Sequence, residues 1–230
     1  MHKPLVLLPG LLCDARLWRG EVAGLADTMA PLVADLTLDD SIPAMARRVL
    51  AVAPPRFALA GLSMGGYVAL EIMRQAPERV THLALFDTTA RADDAARRQL
   101  RLKAMEMTER GKFVGVSRGL LKTLLAPQHL GTDMARMVQA MALDAGPEVY
   151  LRQQTAILGR IDSLDMLGTI AVPTLVGVGE ADQMTPPERA EEMAAAIAGA
   201  RLVRFPESGH LPTVENPAAV TAAMRAWLDR

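Results

Sequence analysis

The chain has 230 residues, half of them hydrophobic, which suits one globular domain with a sizeable core. Its 26 acidic residues stand against 25 basic ones, so nothing attracts it in general to nucleic acid or to an anionic membrane surface. The single cysteine, Cys13, excludes an internal disulfide framework and fits a reducing, cytoplasmic setting.

Leu5-Val6-Leu7-Leu8 is a continuous apolar run stopped by Pro9-Gly10 and predicts a buried strand. The basic start and apolar run mimic a secretory leader. The run is short and broken, however, no small residue immediately precedes Cys13, and the fold needs this strand. No window is long and apolar enough to span a bilayer. Leu32 to Leu36 predicts a second strand, Ala44 to Ala53 a helix ending before Pro54-Pro55, and Arg56 to Ala60 a third strand. Met64 to Gln75 has helical spacing and stops before Pro77, and His82 to Phe86 predicts a fourth strand. From about Ala90 to Asp165 the strand pattern disappears; breaks at Gly111, Pro127 and Gly146-Pro147 divide an Arg-, Met-, Ala- and Leu-rich stretch into several expected helices. Pro173 to Val178 resumes the strand pattern, followed by a helix at Glu188 to Ala198, a strand at Arg201 to Phe205 and a helix at Pro217 to Leu228.

This alternation predicts an α/β fold, with an open, mostly parallel sheet, helices on both faces and an inserted helical lid. Near-continuous apolar strands imply a sheet covered on both sides. The expected organisation is a single domain over 1–230, with the core at 1–89 and 166–230 and the lid at 90–165.

Between the third strand and its helix lies Gly61-Leu62-Ser63-Met64-Gly65-Gly66. A tight strand-to-helix turn strains its central residue and leaves no room for side chains two positions either side, where Gly61 and Gly65 stand. Gly66 lets the helix pack closely. Ser63 is thereby presented at a helix N-terminus, where free N–H groups favour developing negative charge. This is the G-x-S-x-G nucleophile turn in its required context. The glycines do not fit G-x-G-x-x-G, and no Lys-Ser/Thr pair completes a phosphate loop.

A serine hydroxyl needs a base to take its proton. Of four histidines, His2 is in the tail, His82 opens a strand at the wrong edge, and His129 is in the helical block. His210 follows the last strand in Pro206-Glu207-Ser208-Gly209-His210, at the carboxyl edge of the sheet. The imidazole needs an acid to fix its tautomer. Asp182, in the loop after the preceding strand, ranks first; Asp87 and then Glu180 are the alternatives. Two oxyanion donors complete the set: the backbone N–H of Met64, and that of Leu11 with Leu12 second.

Leu7-Leu8-Pro9-Gly10, the Ser63 turn, Gly179-Glu180-Ala181-Asp182 and Ser208-Gly209-His210-Leu211-Pro212 fall in the order of the α/β-hydrolase family. The chain resembles its compact members with a helical lid over essentially its whole length. The resemblance implies an eight-stranded, mostly parallel sheet, entered here at the third strand, so that the usual N-terminal hairpin is missing or reduced. Two departures reshape the pocket rim: Pro9-Gly10 replaces the usual His-Gly, and Asp35-Leu36-Thr37-Leu38-Asp39-Asp40-Ser41 replaces the usual Asp-x-Pro-Gly-x-Gly-x-Ser loop.

The expected chemistry is hydrolysis of a small or medium carboxylic ester through an acyl-Ser63, with Asp182 and His210, using no metal and no organic cofactor. A triad-based lyase or carbon–carbon hydrolase, as in menaquinone-pathway relatives, is the alternative, and a non-enzymatic binding protein the third reading. The partner is a small-molecule ester or related carbonyl compound; monomer and homodimer both stay open. Met105, Met107, Met134, Met137 and Met141 could line an apolar pocket, although packing is the simpler expectation. Arg91, Arg97, Arg98 and Arg101 could recognise a carboxylate or a carrier phosphate; Arg97 and Arg101, four apart, are expected instead on the wet face of a helix. Cys13 is expected to be an ordinary half-buried thiol.

Overall fold

The structure, a computed structural model, describes residues 2–230. Six strands form one sheet: β1 Lys3–Leu8, β2 Met29–Val33, β3 Phe57–Leu62, β4 Val80–Phe86, β5 Thr174–Gly179 and β6 Arg201–Phe205. Their order is β2-β1-β3-β4-β5-β6, and every pairing is parallel. The sheet thus has six strands among the described residues, the family's eight without the N-terminal hairpin, and all of its pairings are parallel. The first apolar run is an interior strand, held between β2 and β3.

Adjacent residues of each strand point to opposite faces, and both faces are buried. Val6, Leu8, Leu59, Leu85 and Val176 pack one side, against the helices α2 Ile42–Val52, α3 Met64–Gln75 and α7 Pro187–Ala196. Leu5, Leu7, Ala60, Phe86 and Leu175 pack the other with Trp18 and Trp227, under α1 Arg19–Gly24 and α9 Pro217–Leu228. Covering on both sides explains why these strands read as unbroken apolar runs rather than alternating ones.

The second strand begins three residues earlier than its apolar pattern suggests. Lys3 pairs with Met29 and Leu7 with Val33, so Pro31 lies within it. Proline lacks a ladder donor and is tolerated because β2 is an edge strand. The helix α2 also starts earlier, because Ser41 caps it by accepting from the Ala44 N–H at 3.4 Å.

Between β4 and β5 the described chain has helices and no strand: α4 Ala95–Glu109, α5 Arg118–Leu124 and α6 Asp133–Leu158. The three breaks expected there are real. Gly111 takes φ 76°, Pro127 opens a short 3-10 turn, and Gly146, at φ 79°, kinks α6 just before Pro147. Asp93 anchors this insertion. Its carboxylate, 2% exposed, binds Arg101 at 2.6 Å and Arg160 at 2.8 Å. A four-residue helix, α8 Pro212–Glu215, stands between the loop after β6 and α9.

Candidate active site

Ser63 sits between β3 and α3 with φ 54° and ψ −114°, a conformation that costs a non-glycine residue about 1–3 kcal/mol. The turn is held by hydrogen bonds. The Ser63 N–H donates to Phe86 O at 3.0 Å, and the Thr88 hydroxyl donates to Ser63 O at 2.8 Å. The flanking glycines are sterically required. A Cβ on Gly61 would lie 2.3 Å from Gly65 O, one on Gly65 2.1 Å from Leu8 O, and one on Gly66 2.4 Å from the Thr88 hydroxyl.

The three residues expected to converge do so at the carboxyl edge of the sheet. His210 Nε2 lies 2.9 Å from Ser63 Oγ, placed to accept its proton. On the other side of the ring, Nδ1 lies 2.9 Å from Asp182 Oδ2 and 3.0 Å from Oδ1. Both His210 and Asp182 are buried, so the pair works in a medium that screens it weakly. Burial alone would raise the Asp182 carboxyl. The facing His210 and the hydrogen bonds from Thr185 outweigh it and hold the carboxyl below its ordinary value.

Thr185 is a residue the sequence reading missed. Its hydroxyl donates to Asp182 Oδ2 at 2.7 Å and its N–H to Oδ1 at 3.1 Å, while the Met184 N–H donates to Oδ1 at 2.8 Å. An aspartate followed at i+3 by a threonine in a loop is the signal for such a local turn. The alternative acids fall into different places. Glu180 is exposed and takes no part in the bonds of His210. Asp87, 1% exposed and at φ 43°, accepts from the Gly179 N–H at 2.8 Å, and its other oxygen has no hydrogen-bond partner among the described residues. Burial first, and then the negative charge of Asp182, push the Asp87 carboxyl well above its ordinary range. Asp87, Asp182 and His210 bring ligand-type atoms within 4.8 Å of one another. The closeness of Asp182 and His210 is that of their hydrogen bonds, and Asp87 is held nearby by the Gly179 N–H.

The loop carrying His210 is fastened to the insertion. The His210 N–H donates to Leu124 O at 2.8 Å. Glu215 Oε1 accepts from the Gly209 and Leu211 N–H groups at 2.9 and 3.1 Å, and Oε2 accepts from the Ala126 N–H at 2.7 Å. No sequence motif flagged Glu215; a glutamate five residues past the histidine reads as part of the next helix.

Met64 opens α3, where its N–H has no acceptor within the helix. The Leu12 N–H, by contrast, is taken by Gln153 Oε1 at 2.9 Å, while no protein acceptor of the Leu11 N–H is found among the described residues.

Ser63, His210 and Leu11 open into a cavity of about 480 Å³, with residues of α4, α5 and α6 forming its opposite wall. None of the five methionines singled out above lines it; Met141, for one, is buried in the core. Cys13 does line it, and burial pushes its thiol up to about 12, so it is protonated at neutral pH. The arginine cluster divides. Arg91 pairs outward with Glu192 and Arg98 caps Leu158 O, whereas Arg97 and Arg101 face the cavity, contrary to the wet-face expectation. No helix among the described residues is long and apolar enough to cross a membrane.

Residues 5–223 match the family described as "Alpha/beta hydrolase family". The chain is 34% identical over 185 residues to a candidate non-heme bromoperoxidase of Mycobacterium tuberculosis, covering 76% of this chain and 68% of that one. It is 30% identical over 231 residues to a pimeloyl-acyl-carrier-protein methyl ester esterase of Nitrosomonas europaea, covering 93% and 90%. Among solved structures, a thermophilic esterase from Thermogutta terrifontis superposes with a TM-score of 0.90 at 30% identity, over 100% of this chain and 90% of the other.

Proposed function

The chain belongs to the alpha/beta hydrolase family, and from that premise we propose that it is a serine hydrolase of small or medium carboxylic esters, with Ser63, His210 and Asp182 as its catalytic residues. The observation that carries this reading is the unbroken chain from Ser63 Oγ through His210 to Asp182, at 2.9 Å on each side, beginning at a strained turn. Esterases among its relatives support it.

In this scheme Ser63 Oγ attacks the ester carbonyl while His210 Nε2 takes the hydroxyl proton. Asp182 accepts from Nδ1–H and stabilises the imidazolium. The Met64 and Leu11 N–H groups receive the oxyanion. His210 then protonates the departing alcohol, leaving an acyl-Ser63. A water deprotonated by His210 attacks that acyl group, and His210 returns the proton to Ser63 Oγ as the acid is released. The helical insertion serves as a lid whose residues line the cavity that receives the substrate.

The test is labelling with a fluorophosphonate, followed by a series of p-nitrophenyl esters of increasing acyl length. A single adduct on Ser63, absent in Ser63→Ala, together with ester turnover, is the expected result. Labelling without turnover of any ester would point to the lyase use of the same residues. No labelling at all would leave a binding protein.

A further inference from the structure

Four residues of α4, Arg97, Leu100, Arg101 and Ala104, all line the cavity that holds Ser63. Their spacing of three and four puts them on one face of the helix. The rest of the wall is mainly apolar, and no aspartate or glutamate lines it. Arg101 is compensated, since Nε meets Asp93 and Nη1 donates to Gln154 Oε1 at 2.9 Å. Asp93 is shared, however, because it also binds Arg160 at 2.8 Å. Arg97 forms no ion pair among the described residues. Its one hydrogen bond goes from Nη2 to the neutral carbonyl of Met184, two residues beyond Asp182. Its Nε and Nη1 have no acceptor among the described residues.

A guanidinium stays charged at any working pH, and one held half-buried against a carbonyl beside an apolar cavity lacks its counter-charge. We propose that Arg97, with Arg101 beside it, is an anion subsite, and that the substrate is an ester bearing a carboxylate across an apolar spacer, such as a half-ester of a dicarboxylic acid. Arg101 shares Asp93 with Arg160, whereas Arg97 has no carboxylate of its own among the described residues and calls for an anion from the cavity. The apolar wall suits the spacer, and the N–H donors left free on Arg97 offer charge-assisted hydrogen bonds to a carboxylate. This rests on the hydrolase reading for the fate of the ester and not for the binding of the anion.

The experiment compares monomethyl esters of four- to eight-carbon dicarboxylic acids with methyl esters of the matching monocarboxylic acids. The wild type should favour the half-ester in kcat/KM by about tenfold to a hundredfold, the worth of one charge-assisted hydrogen bond. Arg97→Met should bring that ratio close to unity, chiefly through KM, and Arg97→Lys should restore part of it. Arg98→Met, which alters an outward-facing side chain, should leave the ratio as it was. Equal turnover of both series by the wild type, or an unchanged ratio in Arg97→Met, would overturn the proposal. Calorimetry on Ser63→Ala with the free dicarboxylates and monocarboxylates separates the two readings. If no ester is hydrolysed but the dicarboxylate binds and loses affinity in Ser63→Ala/Arg97→Met, the anion subsite stands and the hydrolase reading falls. Ester turnover without preferential dicarboxylate binding gives the reverse.

Discussion

At the scale of single residues, two buried carboxylates lie close together near one imidazole, and they cannot both ionise cheaply. Asp182 receives the hydrogen bonds of His210 and Thr185 and keeps the charge; Asp87 has an unmatched oxygen and is pushed toward its neutral form. Asparagine mimics a protonated aspartate, tolerates the positive φ at this position and can still accept from the Gly179 N–H. Asp182→Asn should therefore lower kcat on an activated ester by about 10⁴-fold, whereas Asp87→Asn should keep it within about tenfold of the wild type. Steady-state kinetics on the two variants check this, and reversed magnitudes would transfer the acid role to Asp87. The sequence narrowed the acid to three loop positions by their edge of the sheet. Ranking them needed burial and hydrogen bonds, which depend on the distant partner His210. A second residue, Glu21, is fully buried with neither oxygen partnered, and burial raises its carboxyl from 4.5 to about 8. Its folded value exceeds its unfolded one, so the folded protein binds the extra proton. Stability then falls as pH rises from 4.5 to about 8 and levels off above. Glu21→Gln should remove that slope and gain a few kcal/mol, on the order of 2–4, at pH 8 but little near pH 4; thermal melts across pH measure it.

At the scale of elements, β3 and α3 are joined by a turn that only glycine permits. Gly65→Ala would place a methyl 2.1 Å from Leu8 O and 2.8 Å from Pro9 O, both of them backbone atoms that cannot swing aside. The expected loss is about 3 kcal/mol, read from urea unfolding, with the Ser63 turn displaced. These glycines were legible in the sequence because steric exclusion is local. So were α3, β6 and α9, whose ends match the observed Met64–Gln75, Arg201–Phe205 and Pro217–Leu228. The start of β2 was not, because Pro31 reads as a breaker until the strand is known to lie at the edge. The direction of α4 was misread for a related reason. A pair of arginines four apart fits a solvent-facing stripe as well as a cavity wall, and periodicity does not say which side of a helix the core occupies.

At the scale of the whole molecule, the insertion depends on one buried charge. Asp93 lies 2% exposed between Arg101 and an Arg160 side chain that is 5% exposed. Burial would raise its carboxyl, but the hydrogen bonds from Arg160 and Arg101 hold it below its ordinary value. Its contribution to stability is thus present above the ordinary aspartate range and is lost as pH falls through the depressed value. Asp93→Ala leaves two guanidiniums unpaired, a change that costs about 3–5 kcal/mol in buried pairs, and should lower Tm by on the order of 10 °C in a chain of this size. Differential scanning calorimetry reads this, and a shift under about 2 °C would show that the helices are held by apolar packing instead.

The imidazole's backbone and the segment at 124–126 share their hydrogen bonds, directly from His210 to Leu124 and through both oxygens of Glu215. Any outward displacement of that segment would therefore pull on the His210 loop and lengthen the 2.9 Å contact between its Nε2 and Ser63 Oγ.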